Sequence, residues 1–423
     1  MSQPRHILWI NSAADWIGGC ETYVRSVAAE LSARGYRNTL LYDPNQPFRS
    51  EFAASFEAAF PLVDPALQIE QLRPDIVYVH RLANERLSAE ITRGPARTLR
   101  FLHDHRLFCL REHKYTTLGN QTCTRVTGWN CYACLGCFHR SQGSLPIGVR
   151  TLGELRREQR GLRAYDRLIV GSDYFRDHLL RHGFESKQVV TTELFARRRD
   201  VEEATVRIPG RLVFAGTLVR GKGLGVLLHA LRDVTRPWSL DVLGQGRQQS
   251  ALEQLARTLG IDQQVRFLGA CDGAAVLRHL AQAQALVFPS ITPETFGLVG
   301  VEALSVGTPV IASDVGGIRQ WLDHGRNGLL VPPNDSQALT HAIDRLLADP
   351  QQAAQWGQHG YQQSTARWTL SRGVDAIEAV MRGLFAPDTT SPIQPTAHDS
   401  IAESLGPMPW HDYPTTCTPE AVR

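Results

Sequence analysis

Short apolar runs alternate with amphipathic stretches along the first half of the chain. His6-Ile7-Leu8-Trp9-Ile10 is apolar at nearly every position and has the length of a strand. A polar loop carrying Gly18-Gly19 follows. From Glu21 to Arg34, apolar residues recur at Val24, Val27, Ala28 and Leu31. That i, i+3, i+4, i+7 spacing predicts a helix with one buried face, and Gly35 stands where a helix terminator belongs. Thr39–Tyr42, Asp75–His80, Thr98–His103 and Arg167–Gly171 repeat the apolar-run pattern. Runs that are apolar throughout fit strands covered on both faces, hence a parallel sheet with helices on either side.

A second copy of the pattern begins near Arg211. Leu212–Ala215 runs into Gly216, a helix is expected over about 223–232, and Ser239–Leu243 ends at Gly244-Gln245-Gly246. Gln264–Leu268, Ala285–Pro289 and Pro309–Ala312 supply further strands. The expected organisation is an α/β chain of two Rossmann-like, doubly wound domains, 1–200 and 201–369. The boundary falls in the charged stretch Ala196–Gly210, and a closing helix covers 370–385. The segment 386–423 is rich in Pro, Thr and Ser and reads as a disordered tail.

Composition narrows the class. The 423 residues are 43% hydrophobic and 21% charged, which fits a folded globular chain and excludes a disordered or collagen-like one. No apolar run approaches the ~18 residues of a membrane span, and the first residues lack the layout of a secretory leader; a cytoplasmic protein is expected. A net charge of +3 gives no reason to expect nucleic acid as a partner. Only Lys114, Lys187 and Lys222 are lysines among 45 basic residues. Residues 93–163 hold 13 Lys or Arg against 4 Asp or Glu. That segment is a candidate for peripheral contact with an anionic membrane or a phosphorylated acceptor, or is a solvated basic face.

The most informative stretch runs from Pro293 to Leu304. A helix is expected from Phe296 to just before Gly307, with Glu302 its only charge; the neighbours of Glu302 on the helix are Leu298, Val299, Ser305 and Val306. A buried lone carboxylate needs hydrogen-bond donors, supplied either by ligand hydroxyls or by a core arginine. Glu294 lies eight residues earlier, about 12 Å along a helix axis, which suits two groups gripping different parts of one extended ligand. Between them the helix start at Gly297 offers free N–H groups to an anion. A second anion-binding loop is Gly216 to Gly223, which presents Arg220 and Lys222. Gly18-Gly19 is a further backbone-donor loop.

Together these stretches resemble the retaining GT-B glycosyltransferases, specifically glycosyltransferase family 4. Glu294 and Glu302 match that family's Glu-x7-Glu motif, which continues through Gly307-Thr308-Pro309, Gly316-Gly317 and Asn327-Gly328. The resemblance implies two domains facing across a cleft and a nucleotide-diphosphate sugar as donor. It implies that Glu302 takes the ribose hydroxyls and Glu294 those of the transferred sugar. Phe296, Gly297 and Leu298 would offer backbone amides, with Gly19 and Gly216 as further donor-binding positions. Lys222, helped by Arg220, would neutralise the departing diphosphate, and His103 would orient the sugar. Glu294, Lys222 and His103 are thus the candidate catalytic residues. No metal is needed for such chemistry, and the acceptor would be a glycan or lipid-linked, as in bacterial surface polysaccharide assembly at the inner membrane. Thr217 and Gln320 depart from the family's usual Arg and Glu. A nucleotide-sugar epimerase, or a non-catalytic nucleotide- or glycan-binding relative, is the alternative; the absence of G-x-G-x-x-G after the first strand argues against a dehydrogenase.

An insertion over 104–142 carries Cys109, Cys123, Cys131, Cys134 and Cys137. In a cytosolic chain, Cys-x2-Cys steps favour a metal over disulfides. Four thiolates would close a structural zinc site, with His105, His113 and His139 as alternate ligands; the other reading is a set of reduced, packed thiols. Cys20, Cys271 and Cys417 stand alone.

Overall fold

The computed structural model describes residues 5–82, 84–134, 137–140, 147–197 and 206–385. The candidate tail 386–423 and Cys417 lie outside the described residues.

The first half builds one sheet from β1 (His6–Asn11), β2 (Arg37–Tyr42), β3 (Ala58–Pro61), β4 (Ile76–Val79) and β5 (Arg97–Phe101). A small antiparallel pair, β6 (Phe138–Arg140) and β7 (Ile147–Val149), interrupts it before β8 (Arg167–Val170) and β9 (Val189–Thr191) complete it. The seven strands lie in the order β3-β2-β1-β4-β5-β8-β9, and all pair in parallel. The second half forms a six-stranded parallel sheet from β10 (Arg211–Ala215), β11 (Ser239–Leu243), β12 (Val265–Gly269), β13 (Ala285–Phe288), β14 (Val310–Ser313) and β15 (Gly328–Val331). Its order is β12-β11-β10-β13-β14-β15.

The continuous apolar runs are the central strands. Every residue of β1, β4, β10 and β13 is buried, as expected when helices cover both sheet faces. The helix Gly19–Ala33 lays Tyr23, Val24, Val27, Ala28 and Leu31 inward. In both sheets the chain order reverses beside the first strand, at β1/β4 and at β10/β13. Open α/β sheets bind ligands in the crevice beyond the carboxyl ends of strands at such points.

The apolar pattern did not single out β3, β9 or β15. The first is an edge strand with no buried residue, β9 is only three residues long, and β15 is a buried run that opens on a glycine. The helix expected from Phe296 starts two residues later, at Leu298–Ser305, because Gly297 takes a left-handed φ of 92° and turns the chain into the helix. The closing helix Leu370–Gly383 returns to the first half. There the Arg34 guanidinium meets Asp375 at 2.6 Å and Glu378 at 3.0 Å, and the Tyr36 hydroxyl donates to Glu378 at 2.9 Å. No helix among the described residues is long and apolar enough to cross a membrane.

Candidate active site

Between the strand ends of the two sheets lies a cleft of about 330 Å³. Gly19, His103, Gly216, Lys222, Glu294, Phe296, Gly297, Leu298 and Glu302 all line it. The loop after β13 and the helix Leu298–Ser305 supply its wall. Gly297 is required there: a Cβ would come within 2.9 Å of the Phe288 ring and 3.0 Å of Ile318. Gly300 lies directly against the Trp321 ring, with no room for a side chain. Trp321 in turn donates its indole N–H to the Phe296 carbonyl at 2.6 Å. The Gly316-Gly317 pair lies against the backbone of Glu294, whose carbonyl accepts from the Gly317 amide at 2.8 Å. The glycines of the motif therefore let this wall pack closely and fix where Glu294 sits.

Lys222 and Glu294 form the polar centre. The ammonium donates to both carboxylate oxygens, at 2.8 and 3.0 Å, and the Ser290 hydroxyl donates to Oε1 at 2.5 Å. The Lys222 ammonium also lies 5.7 Å from the Phe288 ring centroid. Lys222 ends a short turn, Arg220–Lys222, and Gly221 within it packs tightly on Thr292. That packing aims Lys222 inward and leaves Arg220 exposed and off the cleft wall. Arg220 therefore does not take the place of the arginine expected beside the phosphate loop; Thr217 lines the cleft there instead. Gln320, the other departure, accepts from the backbone N–H of Asp173 at 2.9 Å and so joins the two halves.

Glu302 is buried, as its apolar helix requires, and it has a protein partner: Arg197 Nε donates to Oε1 at 2.5 Å. Arg197 belongs to the crossover between the halves and lines the same cleft. Its guanidinium rests on Gly273, where a side chain would collide with it. The pairing arginine thus comes from the cleft edge rather than the core. Nothing in the local sequence marks Arg197, since its partner is 105 residues away.

His103 follows β5 at the cleft floor. Its Nε2 lies 3.0 Å from Nδ1 of His80, which follows β4. Burial pushes the His103 imidazole down to about 3 and that of His80 well below its ordinary range, so both rings are neutral at pH 7. The first half also holds the Glu294 loop in place. Thr295 Oγ1 donates to the His103 carbonyl at 2.9 Å, His105 Nε2 meets the Pro293 carbonyl at 3.1 Å, Thr122 Oγ1 donates to the Ile291 carbonyl at 2.7 Å, and Ser172 Oγ donates to the Thr295 carbonyl.

Among the described residues, no three of the insertion's cysteine sulfurs lie within 4.8 Å of one another. Cys109, Cys123, Cys131, Cys134 and Cys137 are all free thiols. Among the described residues the one group of three or more His, Cys, Asp or Glu ligand atoms lying within 4.8 Å of one another is Cys20, His80 and His103. His105 and His113 join no such group, and the His139 side chain lies outside what is described. The buried Lys114 is a further obstacle: its ammonium sits in the field of Cys109, Cys123 and Cys131 and donates to the Arg125 carbonyl at 2.6 Å. A fixed cation among those sulfurs opposes a second, divalent one. The zinc site expected in the insertion does not fit this arrangement; the loop is held instead by hydrogen bonds and by Leu110, Leu152 and Leu155 packed with Cys131 and Tyr132.

Residues 203–363 match the family model described as "Glycosyl transferases group 1". Over 211 residues the chain is 31% identical to the D-rhamnosyltransferase WbpZ of Pseudomonas aeruginosa, covering 47% of this chain and 55% of that one. Over 152 residues it is 33% identical to the uncharacterized glycosyltransferase MJ1607 of Methanocaldococcus jannaschii, covering 36% and 37%. The chain thus spans roughly a third to a half of the length of these curated relatives. The structure of Anabaena Alr3699/HepE in complex with UDP and glucose superposes with a TM-score of 0.69 at 16% identity, covering 90% of this chain and all of that one. Two parallel α/β halves that meet at their strand ends, together with these structural matches, establish that the molecule has the GT-B fold, with residues 203–363 similar to the glycosyl transferases group 1 model.

Proposed function

We propose that the protein is a retaining glycosyltransferase that moves a sugar from a nucleotide-diphosphate sugar to a glycan or lipid-linked acceptor. The observation that carries this reading is the convergence in one cleft of the Lys222–Glu294 pair, the amide-bearing start of the helix Leu298–Ser305, and the buried carboxylate of Glu302. In the reaction, the bond from the anomeric carbon to the diphosphate oxygen breaks, and the acceptor oxygen bonds to that carbon on the same face. The acceptor proton passes to the departing phosphate oxygen. Negative charge therefore grows on the diphosphate. A fixed ammonium and helix-terminal N–H groups aimed there lower the barrier, and they do so best in a site that excludes water.

Each residue has one task in this reading. Lys222 meets the diphosphate, and Glu294 accepts from hydroxyls of the transferred sugar while Ser290 holds it in place. Glu302 accepts from the ribose. A carboxylate offers about four lone-pair sites, so the single Arg197 bond leaves capacity for a diol. His103 orients the sugar. The basic segment 93–163, which exposes Leu118 and Trp129, supports contact with an anionic surface or lipid-linked acceptor. Similarity to a D-rhamnosyltransferase supports transfer of a sugar, and a role in surface-glycan synthesis is part of the proposal. Incubation with a panel of nucleotide sugars, scored by release of nucleoside diphosphate, tests the proposal. Release from one donor class is expected; no release, together with no nucleoside-diphosphate binding, overturns it.

A further inference from the structure

His80 takes no part in the reading above, yet it is the only hydrogen-bond partner of the His103 side chain among the described residues. Its ring lies in an aromatic box: stacked with Trp9 at 5.3 Å and Phe101 at 5.9 Å between centroids, and tilted against Tyr78 at 4.3 Å. His80 Nε2 is buried there with no hydrogen-bond partner. Two neutral imidazoles facing each other at 3.0 Å must share one proton between the facing nitrogens, and there are two ways to do so. If His103 donates, His80 must carry its own proton on Nε2, leaving a buried N–H without an acceptor. If His80 donates from Nδ1, only a lone pair is stranded. Orphaned buried N–H groups are the rarer of the two defects.

We infer that His80 is a positioning residue that fixes the tautomer of His103. It donates its Nδ1–H to His103 Nε2, so that His103 presents Nδ1–H as a hydrogen-bond donor to the cleft. His103 Nδ1 has no partner among the described residues and is not sealed from solvent, and the ring lines the cleft. The donor-sugar group it meets is then an acceptor oxygen. Cys20 stands within 4.8 Å of the pair, but its thiol donates to Asn11 Oδ1 at 3.7 Å. Burial and the adjacent Glu21 also push that thiol well above its usual range. Its thiol is protonated and stands beside the histidine pair without hydrogen-bonding to it. Only the role of the presented N–H rests on the transferase reading; the tautomer itself does not.

Long-range proton–nitrogen NMR of ¹⁵N-histidine-labelled protein tests this, with the His103 signals assigned by their loss in His103→Gln. The wild type is expected to show His103 protonated on Nδ1 and bare on Nε2. His80→Asn keeps an N–H near the position of Nδ1 and should preserve both that signature and kcat/KM. His80→Phe should mix the tautomers and lower kcat/KM by about tenfold or more, the scale seen when an orienting partner of a functional histidine is lost, with nucleoside-diphosphate affinity little changed. A wild-type His103 protonated on Nε2, or an unaltered His103 spectrum in His80→Phe, would overturn the inference. A wild type that binds no nucleoside diphosphate and turns over no donor would instead overturn the transferase reading, leaving the spectra to decide this one.

Discussion

Lowering the pH from 7.5 to 5.5 should cost the first half several kcal/mol of stability. Five of its histidines, three buried and two half-buried, are held neutral. Burial holds His103 and His105 down to about 3 and His182 to about 4, and it places His80 and His178 well below the ordinary value. Lys114 presses in the same direction on His105, His178 and His182, and Arg181 on the last two; Asp104 pulls the other way on His103 and His105. A folded-state value below the unfolded one means the unfolded chain takes up protons first. Stability is therefore full above about pH 6.5 and falls as the pH drops through and below that value. At pH 5.5 each such histidine costs about 1.4 kcal/mol, one pH unit below its unfolded pKa. The result barely depends on how far below about 4.5 the folded value lies. Together they cost several kcal/mol, a substantial part of a typical total of about 5–15 kcal/mol. Hydrogen exchange at the amides of β1 and β4, corrected for intrinsic rates at the two pH values, reads this directly. His178→Leu should return about 1.4 kcal/mol of the difference. Exchange free energies equal within about 1 kcal/mol at the two pH values would refute the reasoning.

Four further outcomes are expected. Lys222→Ala should lower kcat by about 10²–10³, as for loss of one transition-state electrostatic contact, with a smaller change in donor affinity; steady-state kinetics on the identified donor checks the split. Glu302→Ala should weaken nucleoside-diphosphate binding by roughly 10- to 100-fold through loss of a charged acceptor, measured by calorimetry; unchanged affinity would remove the ribose role. Gly300→Ala should destabilise the second half by about 1–3 kcal/mol, because the new Cβ lands in the Trp321 ring; a Tm within a degree of wild type would contradict that packing. Chelator treatment should leave Tm unchanged, since among the described residues no three ligand atoms of the insertion lie within 4.8 Å of one another; stoichiometric zinc in freshly purified protein, with a Tm that falls on its removal, would reverse this.

The buried strands were legible because burial on both faces leaves a continuous apolar run, as in β1, β4, β10 and β13. Edge strands such as β3 carry no such run. The Glu294-to-Glu302 stretch was legible because a lone acid in an apolar helix is costly without a purpose. Its start was misplaced by two residues because a left-handed Gly297 cannot be told from a helical glycine by spacing alone. Arg197, Ser290, Thr295 and His80 were not legible as site residues. Arg197, Thr295 and His80 act through partners brought close only by folding, at separations of 105, 192 and 23 residues, whereas Ser290 sits four residues from Glu294 and a serine after a strand carries no signal of its own. The repeated strand-end position was the one available signal for His80, since His103 ends its own strand in the same way. The cysteine spacing could not decide between metal and packed thiols for a related reason: Cys-x2-Cys steps report proximity along the chain, not whether four sulfurs come within reach of one ion.

The central claim is that one cleft grips a nucleoside diphosphate through Lys222 and Glu302. A crystal structure of the protein soaked with a nucleoside diphosphate tests it most directly. Density for the diphosphate within hydrogen-bonding distance of the Lys222 ammonium and the amides of 297–299, with the ribose hydroxyls on the Glu302 carboxylate, is the predicted result. A cleft that stays empty at saturating ligand, or a nucleotide bound elsewhere while Arg197 keeps Glu302 closed, would contradict it.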